Sequence, residues 1–170
     1  QGSALNSSQG VFRMYNNSKI EHAEIGVLIS RRNETNGVPI STSYNGNFNG
    51  GVFIAENSSF YNCWIGTLFQ SYGVAATNLS RISSCNYTWK GQLRDLTKTP
   101  HVHLGIVQCN KIYVTATKFN QNTPYIYINK NKWGIGILAI NSDFAVSSSC
   151  STILPIGQDC SEANTIRSEF

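Results

Sequence analysis

Short apolar stretches of three to six residues, separated by polar or glycine-containing segments, recur along the chain. No segment keeps the 3.6-residue apolar periodicity of an amphipathic helix, so the short runs favour β-strands. One apolar element with a glycine in second place recurs at positions 25–28, 65–68, 104–107 and 135–138. The pattern predicts an all-β chain with a repeated strand.

The chain is also similar to itself. Placing Gly10 over Gly50 aligns positions 10–29 with 50–69 and gives six identities in twenty positions. Ser or Thr, any residue, then Ile or Phe forms a second repeated element, which ends at Ile20, Phe60, Ile82, Phe119 and Ile153. A third apolar stretch precedes each of these anchors, at 12–14, 52–54, 74–76, 112–114 and 144–146. Each unit is therefore predicted to contain three short strands.

The spacings between successive anchors along the chain are 40, 22, 37 and 34. They are interpreted as a basic rung of 22 residues that carries insertions of 18, 0, 15 and 12 residues. Two-residue hairpin signals occur only at Asn36-Gly37, Asn45-Gly46 and Asn49-Gly50, all within one insertion. The strands are therefore expected to stack rung upon rung, about 4.8 Å apart, as three parallel sheets around one core.

This pattern resembles the right-handed parallel β-helix of the pectin-lyase-like group over residues 10 to about 154. The resemblance implies about five rungs, with residues 155–170 as a C-terminal extension. The rung sequences at 18–29 and 50–69 are similar to repeats in large secreted and surface proteins of Bacteroidota, many of them exported by the type IX pathway. The resemblance implies that residues 1–170 form a single β-helix domain or segment of a longer extracellular or cell-surface protein.

The predicted register also places polar and small residues in columns at the turns. A polar ladder is expected at His22, Asn62 and Ser84, and a column of small residues next to it includes Cys63 and Cys85. Cys63 and Cys85 are expected to be stacked, buried thiols, whereas Cys150 and Cys160 bracket a loop and are the disulfide candidates. Four glycines, one in each copy of the first element, are expected at bends where a side chain would collide or where φ must be positive: Gly26, Gly66, Gly105 and Gly136.

Composition and charge exclude several classes. Thirteen basic and nine acidic residues give a net charge of +4 and are scattered, so no cationic stripe suited to nucleic acid is present. No apolar run approaches the roughly 20 residues of a membrane span. The five cysteines include no C-x-x-C pair, so neither a zinc ribbon nor a thioredoxin-type site is indicated.

Candidate catalytic groups are scarce. In the predicted register no column contains two of the nine carboxylates, whereas cleavage of acidic polysaccharides by a β-helix enzyme uses such a cluster. His101 and His103 lie on one strand face, but a third metal ligand is missing. No cofactor, metal or catalytic residue is predicted, and the sequence leans against an enzyme.

Two insertions, about 86–101 and 122–132, precede copies of the same strand and are expected to emerge side by side. The candidate binding residues, most of them aromatic, are Trp89, Arg94, His101, Tyr125, Tyr127 and Trp133. Such side chains suit a glycan or protein partner, or they cover the apolar coil beneath their own loops. The prediction is a non-catalytic surface module that binds glycan or protein or acts as a stalk or adhesin segment. The alternatives are a polysaccharide lyase or glycoside hydrolase, and a subunit or cargo segment of a larger secretion or surface assembly.

Overall fold

A computed structural model describes residues 3–7, 11–30, 51–71, 76–77, 79–90, 101–121, 134–150 and 165–166. These ranges contain strands, turns and bends and no helix. Within them, nothing forms a helix long and apolar enough to cross a membrane. The all-β prediction is therefore confirmed for this part of the chain.

Three parallel sheets account for most of the strands. Sheet A contains β1 (Ser3–Ser7), β4 (Ile25–Ser30), β7 (Ile65–Gln70), β11 (Val102–Val107) and β15 (Ile135–Ile140), in that order. Sheet B contains β2 (Val11–Met14), β5 (Val52–Glu56), β9 (Arg81–Ser83), β13 (Ile112–Thr115) and β16 (Phe144–Ser147). Sheet C contains β3 (Lys19–Glu21), β6 (Ser59–Tyr61), β10 (Asn86–Trp89) and β14 (Lys118–Gln121).

The chain passes through sheets B, C and A in the same order again and again, which makes the fold a parallel β-solenoid. Two short pairs supplement the sheets. The strands β8 (Ala76–Thr77) and β12 (Cys109–Asn110) pair in parallel, whereas β17 (Ser149–Cys150) and β18 (Thr165–Ile166) pair antiparallel. The predicted three strands per unit and their stacking into parallel sheets are confirmed.

An aromatic column forms the centre of the core. Phe60, Tyr87 and Phe119 occupy matching positions on adjacent strands of sheet C. Their rings stack, with centroids 4.4 Å apart for Phe60 and Tyr87 and 5.1 Å apart for Tyr87 and Phe119. All three side chains are buried, and burying an aromatic or aliphatic side chain contributes about 1.5–3 kcal/mol.

This column corrects the predicted register of the third rung. The prediction placed Ile82 beside Phe60, but Ile82 lies in sheet B and pairs with Ala55 and Val114. The true neighbour of Phe60 is Tyr87, which follows Ile82 in the chain, so the predicted rung of 22 is too short and is wrong. The flat ring of Tyr87 stacks between two phenylalanine rings, whereas Ile82 is buried between Ala55 and Val114 in sheet B.

The turns also differ from the predicted ladder. His22 and Asn62 lie at the turn from sheet C to sheet A, where both have a left-handed backbone (φ 57° and 50°) and the His22 amide donates to the Tyr61 carbonyl. Ser84 (φ 53°) lies instead at the turn from sheet B to sheet C. There its amide donates to the carbonyl of Thr115, so it does not belong to the column of His22 and Asn62.

The four glycines predicted at bends lie instead within strands β4, β7, β11 and β15 of sheet A. Gly26, Gly66 and Gly136 occupy equivalent positions in their strands. A Cβ on Gly26 would lie 2.5 Å from the Gly66 carbonyl oxygen, and one on Gly66 would lie 2.5 Å from the His103 carbonyl oxygen. These contacts confirm the predicted collision at both glycines. Gly105 is out of register, because it pairs with Leu68, two residues beyond the position of Gly66.

Candidate functional site

Two of the predicted binding residues flank the segment 91–100. Trp89 ends strand β10 and His101 immediately precedes β11. Both side chains are buried, with 7% and 3% exposure. Their rings stack with centroids 4.9 Å apart and planes 17° apart, so they contact each other instead of solvent. The remaining predicted binding residues, Arg94, Tyr125, Tyr127 and Trp133, lie outside the described residues.

The two insertions do begin and end at neighbouring places. β10 and β14 are adjacent in sheet C, and the strands that follow them, β11 and β15, are adjacent in sheet A. The described residues that border segment 91–100 therefore lie next to those that border segment 122–133. The first begins later than predicted, because Asn86–Trp89 is a strand of sheet C.

The rings around Trp89 continue into the core. His103 contacts His101 edge to face at 4.9 Å and lies 6.0 Å from the ring of Tyr87, while Trp64 meets Trp89 edge to face at 5.5 Å. Gly134 allows this packing, because a Cβ at that position would overlap the His101 ring. These contacts match the alternative interpretation of the aromatic residues, in which their side chains cover the apolar interior of the solenoid instead of binding a partner.

Burial also removes the chemistry that two histidines would offer. It lowers the pKa of His101 to about 3, with a further contribution from His103, and lowers the pKa of His103 to about 4. Both imidazoles are therefore neutral at pH 7. The Nε2 atom of His101 is buried without a hydrogen-bond partner. Within the described ranges no group of three His, Cys, Asp or Glu side chains is placed to hold a metal ion.

Three cysteines, Cys63, Cys85 and Cys109, are buried free thiols. Cys63 and Cys85 do not share a column as predicted. Cys63 follows Phe60 by three residues, whereas Cys85 precedes Tyr87, the neighbour of Phe60, by two. Burial raises the pKa of the Cys85 thiol to about 11 and that of Cys109 to about 12, so neither is a nucleophile at neutral pH. The predicted pair Cys150 and Cys160 falls outside the described side chains.

The outer face of sheet B presents exposed charged and aromatic side chains. Its central column runs along the solenoid axis through Arg13, Ile54, Arg81, Tyr113 and Ala145. A parallel column beside it contains Glu56, Ser83, Thr115 and Ser147. The ring of Tyr113 is 40% exposed, and Arg81 and Glu56 are exposed as well.

A groove of about 480 Å³, open to solvent, lies against these two columns. Its lining side chains include Ile54, Glu56, Arg81, Ser83, Tyr113 and Thr115. Val11, Tyr15 and Leu79 are also exposed, and they lie at the strand ends of this sheet or just beyond them. Sequence reasoning missed this site, although the alternation of residues in 52–54 and 112–114 was a signal for which side chains point outward.

Comparison with known proteins adds no relative: no family model, no curated protein and no solved structure matches this chain.

Proposed function

We propose that this chain is a non-catalytic module of a secreted or cell-surface protein, built as a right-handed parallel β-helix of about five rungs, that binds a glycan or a protein. The observation that carries the proposal is the outer face of sheet B. It offers an exposed tyrosine ring, a guanidinium and a carboxylate beside a groove on a rigid sheet. Rigid surfaces with a few convergent polar groups around an apolar floor are typical of binding sites.

The state of the buried reactive groups supports a binding role over catalysis. Neutral, buried His101 and His103 have pKa values too low for general acid–base chemistry near pH 7. The thiols of Cys85 and Cys109 have pKa values too high for nucleophilic attack. The groove contains one carboxylate, Glu56, whereas glycoside hydrolysis by the usual mechanism uses two.

Parts of the proposal rest on resemblance. Membership of the pectin-lyase-like group, an origin in Bacteroidota and export by the type IX pathway are supported by the rung sequences at 18–29 and 50–69. Extracellular or cell-surface localisation follows from that resemblance. A glycan or protein partner at the two insertions is also part of the proposal.

A binding and activity screen tests the proposal. The purified chain is titrated with a panel of neutral and uronate-containing polysaccharides by affinity electrophoresis and isothermal calorimetry, and each mixture is assayed for new reducing or unsaturated ends. Binding without product formation is the expected result. Release of product would establish the alternative, a lyase or hydrolase. If neither binding nor product is found, the stalk or assembly-segment role replaces glycan binding.

A further inference from the structure

The core of the solenoid is open at its C-terminal end. One inward column of sheet B runs through Met14, Ala55, Ile82, Val114 and Val146. The first four side chains are at most 3% exposed, whereas Val146, on the last strand of the sheet, is 38% exposed. The same column is therefore closed at one end of the solenoid and open at the other.

Sheet A is open at the same end. Its last strand, β15, pairs with β11, so that Ile137 lies beside Leu104 and Ala139 lies beside Ile106. Leu104 and Ile106 are completely buried, whereas Ile137 is half-buried and Ala139 is exposed. The inward positions of β15 therefore lack the cover that a following rung gives to those of β11.

Three sheet edges surround this open end. Among the described residues β14, β15 and β16 are each the last strand of their sheet, so one edge of each faces no further strand. The strand that follows β16, β17, pairs with β18 and does not extend sheet C. An exposed strand edge pairs readily with another chain unless charged residues or prolines oppose it, and β15 and β16 contain neither.

The opposite end of the solenoid is better protected. Its edge strands β2 and β3 carry Arg13, Lys19 and Glu21, and Met14 is already buried there. Charged side chains on an edge strand oppose pairing with another chain, which disfavours stacking of the open end of one copy on the protected end of the next. The open end is instead suited to pair with itself, and a contact between identical surfaces closes at two subunits.

A twofold axis along the normal of sheet A covers all three edges together. It pairs β15 antiparallel with β15 of a second copy, and it brings β16 of each copy beside β14 of the other. Because the chain visits sheets C, A and B in turn, these contacts have the same spacing of one strand, about 4.8 Å. A single peptide strand would cover one edge and leave two open. We propose that this chain forms a twofold-symmetric dimer through the C-terminal end of its solenoid, across β15 and β16.

Sedimentation velocity over a wide range of concentrations tests this dimer. The chain is expected to convert from monomer to dimer and to form nothing larger. Val146→Lys, at a side chain that is exposed in the monomer, is expected to raise the dissociation constant of the dimer about tenfold or more, because dimerisation would bury an unpaired ammonium group. Ala139→Lys, at an exposed inward position of β15, is expected to have the same effect.

Val11→Lys is the matched control, because Val11 is an exposed valine on the edge strand β2 at the protected end. It is expected to leave the dissociation constant unchanged, and thermal melting verifies that each variant is folded. Hydrogen exchange of the wild type needs no variant: amides of β15 are expected to exchange more slowly at concentrations where the dimer forms.

Three results would overturn this inference. They are a chain that stays monomeric at every concentration, a dimer that both lysine variants leave intact, and growth beyond the dimer. Each of them leaves the proposed binding function standing, because that function depends on the outward face of sheet B and not on the end of the solenoid.

Discussion

The hydroxyl group of Tyr87 lies in the centre of the core, 2.9 Å from the Oγ1 atom of Thr67. Both side chains are fully buried. Burial raises the pKa of Tyr87 well above its usual value, so the phenol is neutral and this hydrogen bond links two uncharged groups. Removing one partner leaves the other buried without a partner, which costs about 1–3 kcal/mol.

Tyr87→Phe and Thr67→Val each remove one hydroxyl with little change of shape. Phenylalanine fits this position, because Phe60 and Phe119 occupy the same column on either side. Each single variant is expected to lose about 2 kcal/mol of unfolding free energy. The double variant leaves no unpaired hydroxyl and is expected to lie within about 1 kcal/mol of the wild type, which gives a coupling energy of about 3–4 kcal/mol.

Urea unfolding, followed by tryptophan fluorescence and far-ultraviolet circular dichroism, measures the four chains of this cycle. The matched control is Thr115→Val with Ser147→Ala, which removes an exposed hydroxyl pair 3.1 Å apart. Water replaces that hydrogen bond, so the control coupling is expected to be below about 0.5 kcal/mol. Additive losses in the Tyr87 and Thr67 cycle would refute the assigned register of the third rung.

Three further predictions concern the same core. The unfolded chain binds protons on His101 and His103 near pH 6.5, whereas burial lowers the pKa of His101 to about 3 and that of His103 to about 4 in the folded chain. The unfolding free energy is therefore expected to fall as the pH drops from about 6.5, by about 2 kcal/mol for each imidazole at pH 5, and equal urea midpoints at pH 7 and 5 would contradict their burial. Cys63, Cys85 and Cys109 are expected to resist a thiol-specific disulfide reagent at pH 8 until denaturant is added, and labelling of any of them in the folded chain would show that it is accessible. Gly66→Ala is expected to destabilise by about 2 kcal/mol, since its Cβ would meet the His103 carbonyl oxygen at 2.5 Å and the Tyr87 ring at 2.6 Å. The control Gly105→Ala meets only the end of the Leu68 side chain, at 2.8 Å, and is expected to cost less; equal losses would contradict this difference.

Two rungs were well predicted by the sequence. The alignment of 10–29 with 50–69 matches the register of sheets A and C, where Ile25 pairs with Ile65 and Ile20 pairs with Phe60. Paired residues of these two rungs are 40 positions apart in sheets A and C. In sheet B they are 41 positions apart, because Val11 pairs with Val52. The first turn contains two consecutive left-handed residues, Asn16 and Asn17, whereas the second contains one, Asn57.

The hydrophobic pattern was sufficient to predict that the described residues form strands and no helix, that each unit has three short strands and that alternate residues face inward. The period of two residues in a strand fixes the face of each side chain, because it depends only on local geometry. It does not fix which strand lies alongside. Both Ile82 and Tyr87 are apolar, inward-facing residues, and only packing between rungs placed Tyr87 against Phe60.

The candidate site was decided by tertiary structure for the same reason. Ile54, Arg81 and Tyr113 are ordinary outward residues of three separate strands, distant in sequence, and their alignment in one column arises from stacking. Trp89 is one of the aromatic residues that the sequence suggested as binding residues, but its ring is buried and stacks on the ring of His101. The sequence shows where an aromatic residue occurs along the chain. Whether its side chain is buried or exposed depends on the residues that lie next to it on the adjacent rungs.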